Sequence, residues 1–85
     1  MVSRDFSGDD VAKVLLNVGG FEWVRTNGSH MILKWYPPED HEDTEIRTVS
    51  VPRHDRIDTG TLRNIAEQAG AKDFDSFCRW IDRNR

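Results

Sequence analysis

The sequence predicts an α+β sandwich, with helices layered on one face of a three-stranded antiparallel sheet. Apolar residues recur every three or four positions over residues 11–18, 62–69 and 74–81, the period of an amphipathic helix. From His30 to Tyr36 apolar and polar side chains alternate, the period of a half-buried strand. Glycine and proline punctuate these runs at Gly19-Gly20, Asn27-Gly28, Pro37-Pro38 and Gly70, where chains turn or stop.

The first helix has Ser7 as its cap, Asp9 and Asp10 in its first turn, and Val11, Val14, Leu15 and Val18 along its apolar face. Gly19-Gly20 ends it, and Phe21 to Arg25 forms an extended run. Thr26-Asn27-Gly28 reads as a hairpin turn, because Asn-Gly readily enters the left-handed region that tight hairpins need. A second strand runs from His30 to Tyr36, with Met31, Leu33 and Trp35 facing the core and His30, Ile32, Lys34 and Tyr36 on the other face. Pro37-Pro38 ends it, and the β-branched segment Ile46 to Val51 returns as a third strand. Asp58 or Thr59 caps a helix with Leu62, Ile65, Ala66 and Ala69 on its apolar face and Gly70 as its stop; Asp73 starts a last helix carrying Phe74, Phe77, Cys78 and Ile81. The order α-β-β-β-α-α is that of a double-stranded-RNA-binding-domain-like sandwich with an extra short C-terminal helix, one sheet face being left open. Trp23, Trp35, Trp80, Phe21 and Phe74 are expected in the core, since a chain this small has few other large apolar groups, and Tyr36 is the aromatic expected outside.

Eighty-five residues with 36% hydrophobic content suit one domain over residues 1–85, because so short a chain cannot divide its apolar side chains between two cores. The single cysteine, Cys78, excludes an intramolecular disulfide and points to a reducing, cytoplasmic setting. The first residues lack the apolar stretch of a signal peptide, and no apolar run approaches the length of a membrane span. The net charge is −3, but five of the fifteen acids lie between Glu39 and Glu45. The remainder holds ten acids against twelve Lys and Arg, so the negative balance is local. That segment reads as a solvated loop, with acidic adaptation to high salt as a possible addition. His41 among its acids is not read as a metal site, because consecutive loop residues rarely converge on one ion and no spaced Cys and His set exists elsewhere.

Gly28-Ser29-His30 is the most informative triplet. A histidine opening a strand just after a glycine turn is held firmly and stays accessible. Imidazole titrates near pH 6.5, so it can take a proton from a ribose 2′-OH or give one to a departing 5′-oxygen without a metal. The plainer alternative is a polar surface residue. Arg25 and Lys34 are either phosphate contacts or solvated charges. His54, in Pro52-Arg53-His54, is a structural or RNA-contacting residue, with acid–base work as the alternative. Thr59-Gly60-Thr61 either presents helix N-terminal amides to a phosphate or simply starts a helix.

Gly20-Phe21, Arg25, Gly28-Ser29-His30, Val49-Ser50-Val51-Pro52 with His54, and Thr59-Gly60-Thr61-Leu62-Arg63 with Ile65 and Ala69-Gly70 follow one another as the signature segments of HicA (YcfA-like) mRNA interferase toxins do. The chain resembles that family from about Val11 to Gly70. The resemblance implies a double-stranded-RNA-binding-like fold, an endoribonuclease acting on mRNA, no cofactor, and neutralisation by a HicB-type antitoxin. It places the catalytic histidine at His30 and the turn that positions it at Gly28 and Ser29. Arg25, Lys34, His54, Thr59, Thr61 and Arg63 are the expected RNA contacts, with Arg63 equally able to meet the antitoxin. Many members carry a second histidine directly after the catalytic one, where this chain has Met31, so the group that protonates the leaving oxygen is unassigned. Two other readings of the same residues stay open: a non-catalytic RNA-binding module of this fold, and a protein-interaction domain, which the net charge permits.

Overall fold

A computed structural model describes residues 5–39 and 45–85. It contains α1 (Gly8–Asn17), β1 (Glu22–Asn27), β2 (His30–Trp35), β3 (Arg47–Pro52), α2 (Thr59–Gln68) and α3 (Phe74–Asn84). The strands form one antiparallel sheet in the order β1-β2-β3. This is the expected α+β sandwich, and the last helix, at eleven residues, is no shorter than the other two.

Local sequence explains where each helix begins. Ser7 accepts a hydrogen bond from the Asp10 amide at 3.0 Å, while Asp10 accepts one from the Ser7 amide at 3.4 Å. The two form a capping box, with the apolar Phe6 ahead of the cap and Val11 on the next turn both buried. Asp73 caps α3 by accepting from the Ser76 amide at 2.9 Å and the Ser76 hydroxyl at 2.7 Å. These bonds, the hydroxyl's first, hold the Asp73 carboxyl below the usual carboxylate range. Gly70, at φ +85°, follows α2 and turns the chain.

The core lies between the helices and the inner face of β2 and β3. Met31 and Leu33 meet Val49 and Val51 there, under Val11, Val14, Leu15, Leu62, Ile65, Phe77 and Ile81. Phe6 and Ile57, outside the predicted elements, are also buried. Among the described residues no charged or polar side chain is buried. Cys78 is buried as a free thiol.

The helices pack on β2 and β3, and β1 extends beyond them with all six residues exposed. This overturns two expectations. Trp23 is 49% exposed, because its inner-face position opposite Leu33 has no helix above it. Val18 is the C-cap residue of α1, past its last helical residue, and lies exposed, whereas Ala12 is buried and Leu16 partly buried. Phe21 is buried, Trp35, Trp80 and Phe74 are partly buried, and Tyr36 is exposed.

Candidate functional site

The hairpin joining β1 to β2 is tighter than the sequence suggests. Asn27 pairs with His30, leaving Gly28-Ser29 as a two-residue loop. Only Gly28 is left-handed, at φ +63°, and no non-glycine residue among those described has positive φ. Asn27 therefore stays in the strand, and the loop has glycine in first place, the pattern of a II′ hairpin. His30 becomes the first residue of β2, exposed and bounded on both sides by paired backbone.

Register assigns the face away from the helices, on which Ile32 and Pro52 are nonetheless buried, in three rows, since directly opposed residues share a face. The first row is Asn27, His30 and Pro52; the second is Arg25, Ile32 and Ser50; the third is Glu22, Lys34 and Thr48. A bulge between Trp23 and Arg25 gives Arg25 its place. Without the extra residue Arg25 would keep the parity of Trp23 and point to the inner side. His30 and Lys34 share the face, as expected, but four residues of strand separate them by roughly 13 Å. Lys34 stands opposite Glu22, an acid that competes with any phosphate for it.

The β2–β3 ladder runs one step past the strands, the Arg53 amide donating to the Ser29 carbonyl at 2.7 Å. Beyond it, the Gly8 amide donates to the His54 carbonyl at 2.9 Å and the Ile57 amide to the Phe6 carbonyl at 2.9 Å. The start of α1 thus sits directly on the end of β3. A Cβ at Gly8 would overlap the Pro52 carbonyl oxygen, so only glycine permits this contact. Arg53 leans on Asp9, Nε to Oδ1 3.6 Å. Gly28, Ser29, His30, Pro52, Arg53 and His54 are brought together at one end of the sheet. Both histidine side chains are exposed, and among the described residues neither ring has a hydrogen-bond or ion-pair partner.

The remaining predicted contacts divide. Helix α2 runs back along β3: the Ser50 amide donates to Gln68 Oε1 at 3.1 Å, and Arg47 lies against Gly70. Its N-terminus, with Thr59 and Thr61, therefore lies toward the Pro52 end. Asp58 makes no side-chain capping bond there, and its carboxylate stands over Gly60, an opposing charge for an incoming anion. Arg63 is held elsewhere, its guanidinium 4.3 Å over the Phe74 ring of α3. Gly8 and Arg53 are the additions that sequence reasoning missed. Glycine is a poor helix former, and its presence just after the Ser7 cap was the available signal. The His41 segment lies outside the described residues, and among those described no group of three or more His, Cys, Asp or Glu side chains is placed to hold a metal ion.

A family model described as HicA toxin of bacterial toxin-antitoxin matches residues 8–71, from the glycine seated on β3 to the residue after the α2 stop. No curated protein and no solved structure gives a match.

Proposed function

The chain belongs to the HicA toxin family of bacterial toxin–antitoxin systems, and from that premise we propose that it is a metal-independent endoribonuclease that cleaves mRNA with His30 as its general acid–base group. As a toxin of such a system it has an antitoxin partner; the reading makes that partner HicB-type and has it cover His30 or bar RNA from it. Among the described residues no helix is long and apolar enough to cross a membrane.

The observation that carries the reading is the position of His30. Its backbone is fixed by pairing to both Asn27 and Pro52 while its side chain stays exposed and, among the described residues, unpartnered. A rigid group with free ring nitrogens suits proton transfer at a bound substrate. Gly28 and Ser29 set its position, Arg25 and Lys34 offer positive charge along the same face, and His54, Thr59 and Thr61 border it. Arg63 is the outlying contact of this reading, reached by RNA or by the antitoxin on the α3 side. Attack of the 2′-OH on the adjacent phosphate yields a 2′,3′-cyclic phosphate and a 5′-hydroxyl end.

The test is cleavage of a labelled mRNA by purified protein in EDTA, comparing wild type with a folded His30→Ala variant. Wild-type scission that falls roughly 10²–10⁴-fold in the variant, and stops when the cut site carries a 2′-deoxy sugar, is expected. Equal cutting by both proteins, or cutting that ignores the 2′-OH, overturns it. Binding without scission by wild type turns the reading to a non-catalytic RNA-binding module.

A further inference from the structure

Cleavage by a 2′-OH moves two protons at opposite sides of one phosphate. The 2′-oxygen loses a proton as its bond to phosphorus forms, and the 5′-oxygen gains one as its bond to phosphorus breaks. Attacking and leaving oxygens lie roughly in line through phosphorus, so two groups on separate chain segments serve the reaction better than neighbours on one strand. His30 accounts for one proton only.

The end of the sheet supplies a second group. His30 pairs with Pro52, the ladder continues through the bond from the Arg53 amide to the Ser29 carbonyl, and His54 is the next residue. His54 lies two residues past the end of β3; were the pairing continued regularly, that relation would be a diagonal of roughly 7–8 Å between Cα atoms, a separation that two imidazoles can bridge around a phosphate. The His54 backbone is pinned from the far side by the Gly8 amide at 2.9 Å, and its ring is exposed without a partner among the described residues. The other groups here are poorer acids. A guanidinium such as that of Arg53 does not give up its proton and is turned to Asp9, the Ser29 hydroxyl and Asn27 amide are far weaker acids than imidazolium, and Lys34 stands roughly 13 Å along the strand.

We infer that His54 is the general acid: with His30 taking the 2′-proton, His54 gives its proton to the departing 5′-oxygen. The assignment rests on the endoribonuclease reading above. The two histidines then return to their starting states by exchange with water, and no other reactant is needed.

The experiment uses a scissile bond first mapped on unmodified mRNA, then built into two short RNAs of one sequence. One RNA is unmodified; the other carries sulfur in place of the bridging 5′-oxygen. A thiolate leaves without protonation, because thiols titrate near pH 8.5, far below alcohols. His54→Ala and His54→Asn, each checked for folding by circular dichroism, are expected to cut the oxygen substrate 10²–10⁴-fold slower than wild type and the sulfur substrate within about tenfold of it. His30→Ala should be slow on both RNAs. Equal losses on both substrates in the His54 variants, or no loss on either, overturn the acid assignment while leaving the nuclease reading in place. A wild type that cuts no mRNA, so that no scissile bond can be mapped, overturns the nuclease reading, and this step with it.

Discussion

Replacing Gly8 by alanine tests the contact on which the end of the sheet is built. The added Cβ would overlap the Pro52 carbonyl oxygen and press on the Arg53 Cα; all of these are backbone atoms, so no side chain can swing aside. Relief requires α1 to lift from β3. Overpacking of this kind costs about 1–3 kcal/mol, and loss of the hydrogen bond from the Gly8 amide to His54 adds about 0.5–1.5 kcal/mol. A combined loss of roughly 2–4 kcal/mol is large beside the 5–15 kcal/mol that holds ordinary domains folded. For a chain of this length it lowers the melting temperature by roughly 10–25 °C. Gly60→Ala is the matched control, since a Cβ there meets only the Asp58 carboxylate at 3.7 Å, an ordinary contact, and better helix propensity should raise the melting temperature by a few degrees. Thermal unfolding followed by circular dichroism reads both. A Gly8→Ala protein that melts within about 3 °C of wild type would refute the close seating of α1 on β3, and an equal drop in Gly60→Ala would show general fragility instead.

Leu33, fully buried between the sheet and the helices, should lose about 2–5 kcal/mol on truncation to alanine, seen as a lower urea midpoint; an unchanged midpoint would refute its place in the core. The Asp73 carboxyl is held below its usual range by Ser76, so its contribution is present above the unfolded value near pH 3.9 and is lost as pH falls through the lower folded value. Urea midpoints of wild type and Asp73→Asn should therefore differ at pH 7 and converge in the acid range, and a gap independent of pH would refute the charged cap. If RNA lies along the open face, Arg25→Ala and Lys34→Ala should each weaken binding regardless of sequence and reduce the slope of log K against log salt by about 0.7–0.9. Unchanged slopes in both would remove that face as the RNA path.

Much of the fold was legible because it rests on short-range signals. Ser7 with Asp10, Asp73 with Ser76, and Gly70 after α2 are caps and stops whose chemistry is complete within a few residues. The alternation from His30 to Trp35 placed Met31 and Leu33 in the core, but Ile32, assigned to the other face, is buried as well and Trp35 only partly so. What could not be read depends on how elements meet. Trp23 has an inward position in the pattern, but the width of the helical layer decides whether anything covers it, and no local period encodes that width. Arg25 owes its face to one extra residue in β1, and a bulge leaves no mark in a sequence rich in strand formers. Asn27 has the composition of a turn residue, yet pairing with His30 draws it into the strand and moves the loop one position along. At the site, His30 and its turn were visible as a motif, whereas the approach of Pro52, Arg53 and His54 follows from a strand register set across more than twenty residues.

Net charge is a poor guide to this molecule because its acids and its open face are separated. The described residues of that face carry Arg25 and Lys34 against Glu22, whereas Asp9, Asp10, Asp73, Asp75 and Asp82 belong to α1 and α3 or their caps. Two cations nevertheless make a thin electrostatic hold, worth a salt slope of only about −1.4 on a single strand. If the chain is the endoribonuclease proposed above, an RNA held so lightly has to be selected near the bond that is cut, where His30, Ser29 and His54 are set on pinned backbone. Rigidity at that end and sparse charge along the rest of the face assign the two regions different work. On that reading, substitutions at the turn or at His54 should act mainly on the cleavage step, and those at Arg25 or Lys34 mainly on the RNA concentration at which cleavage saturates.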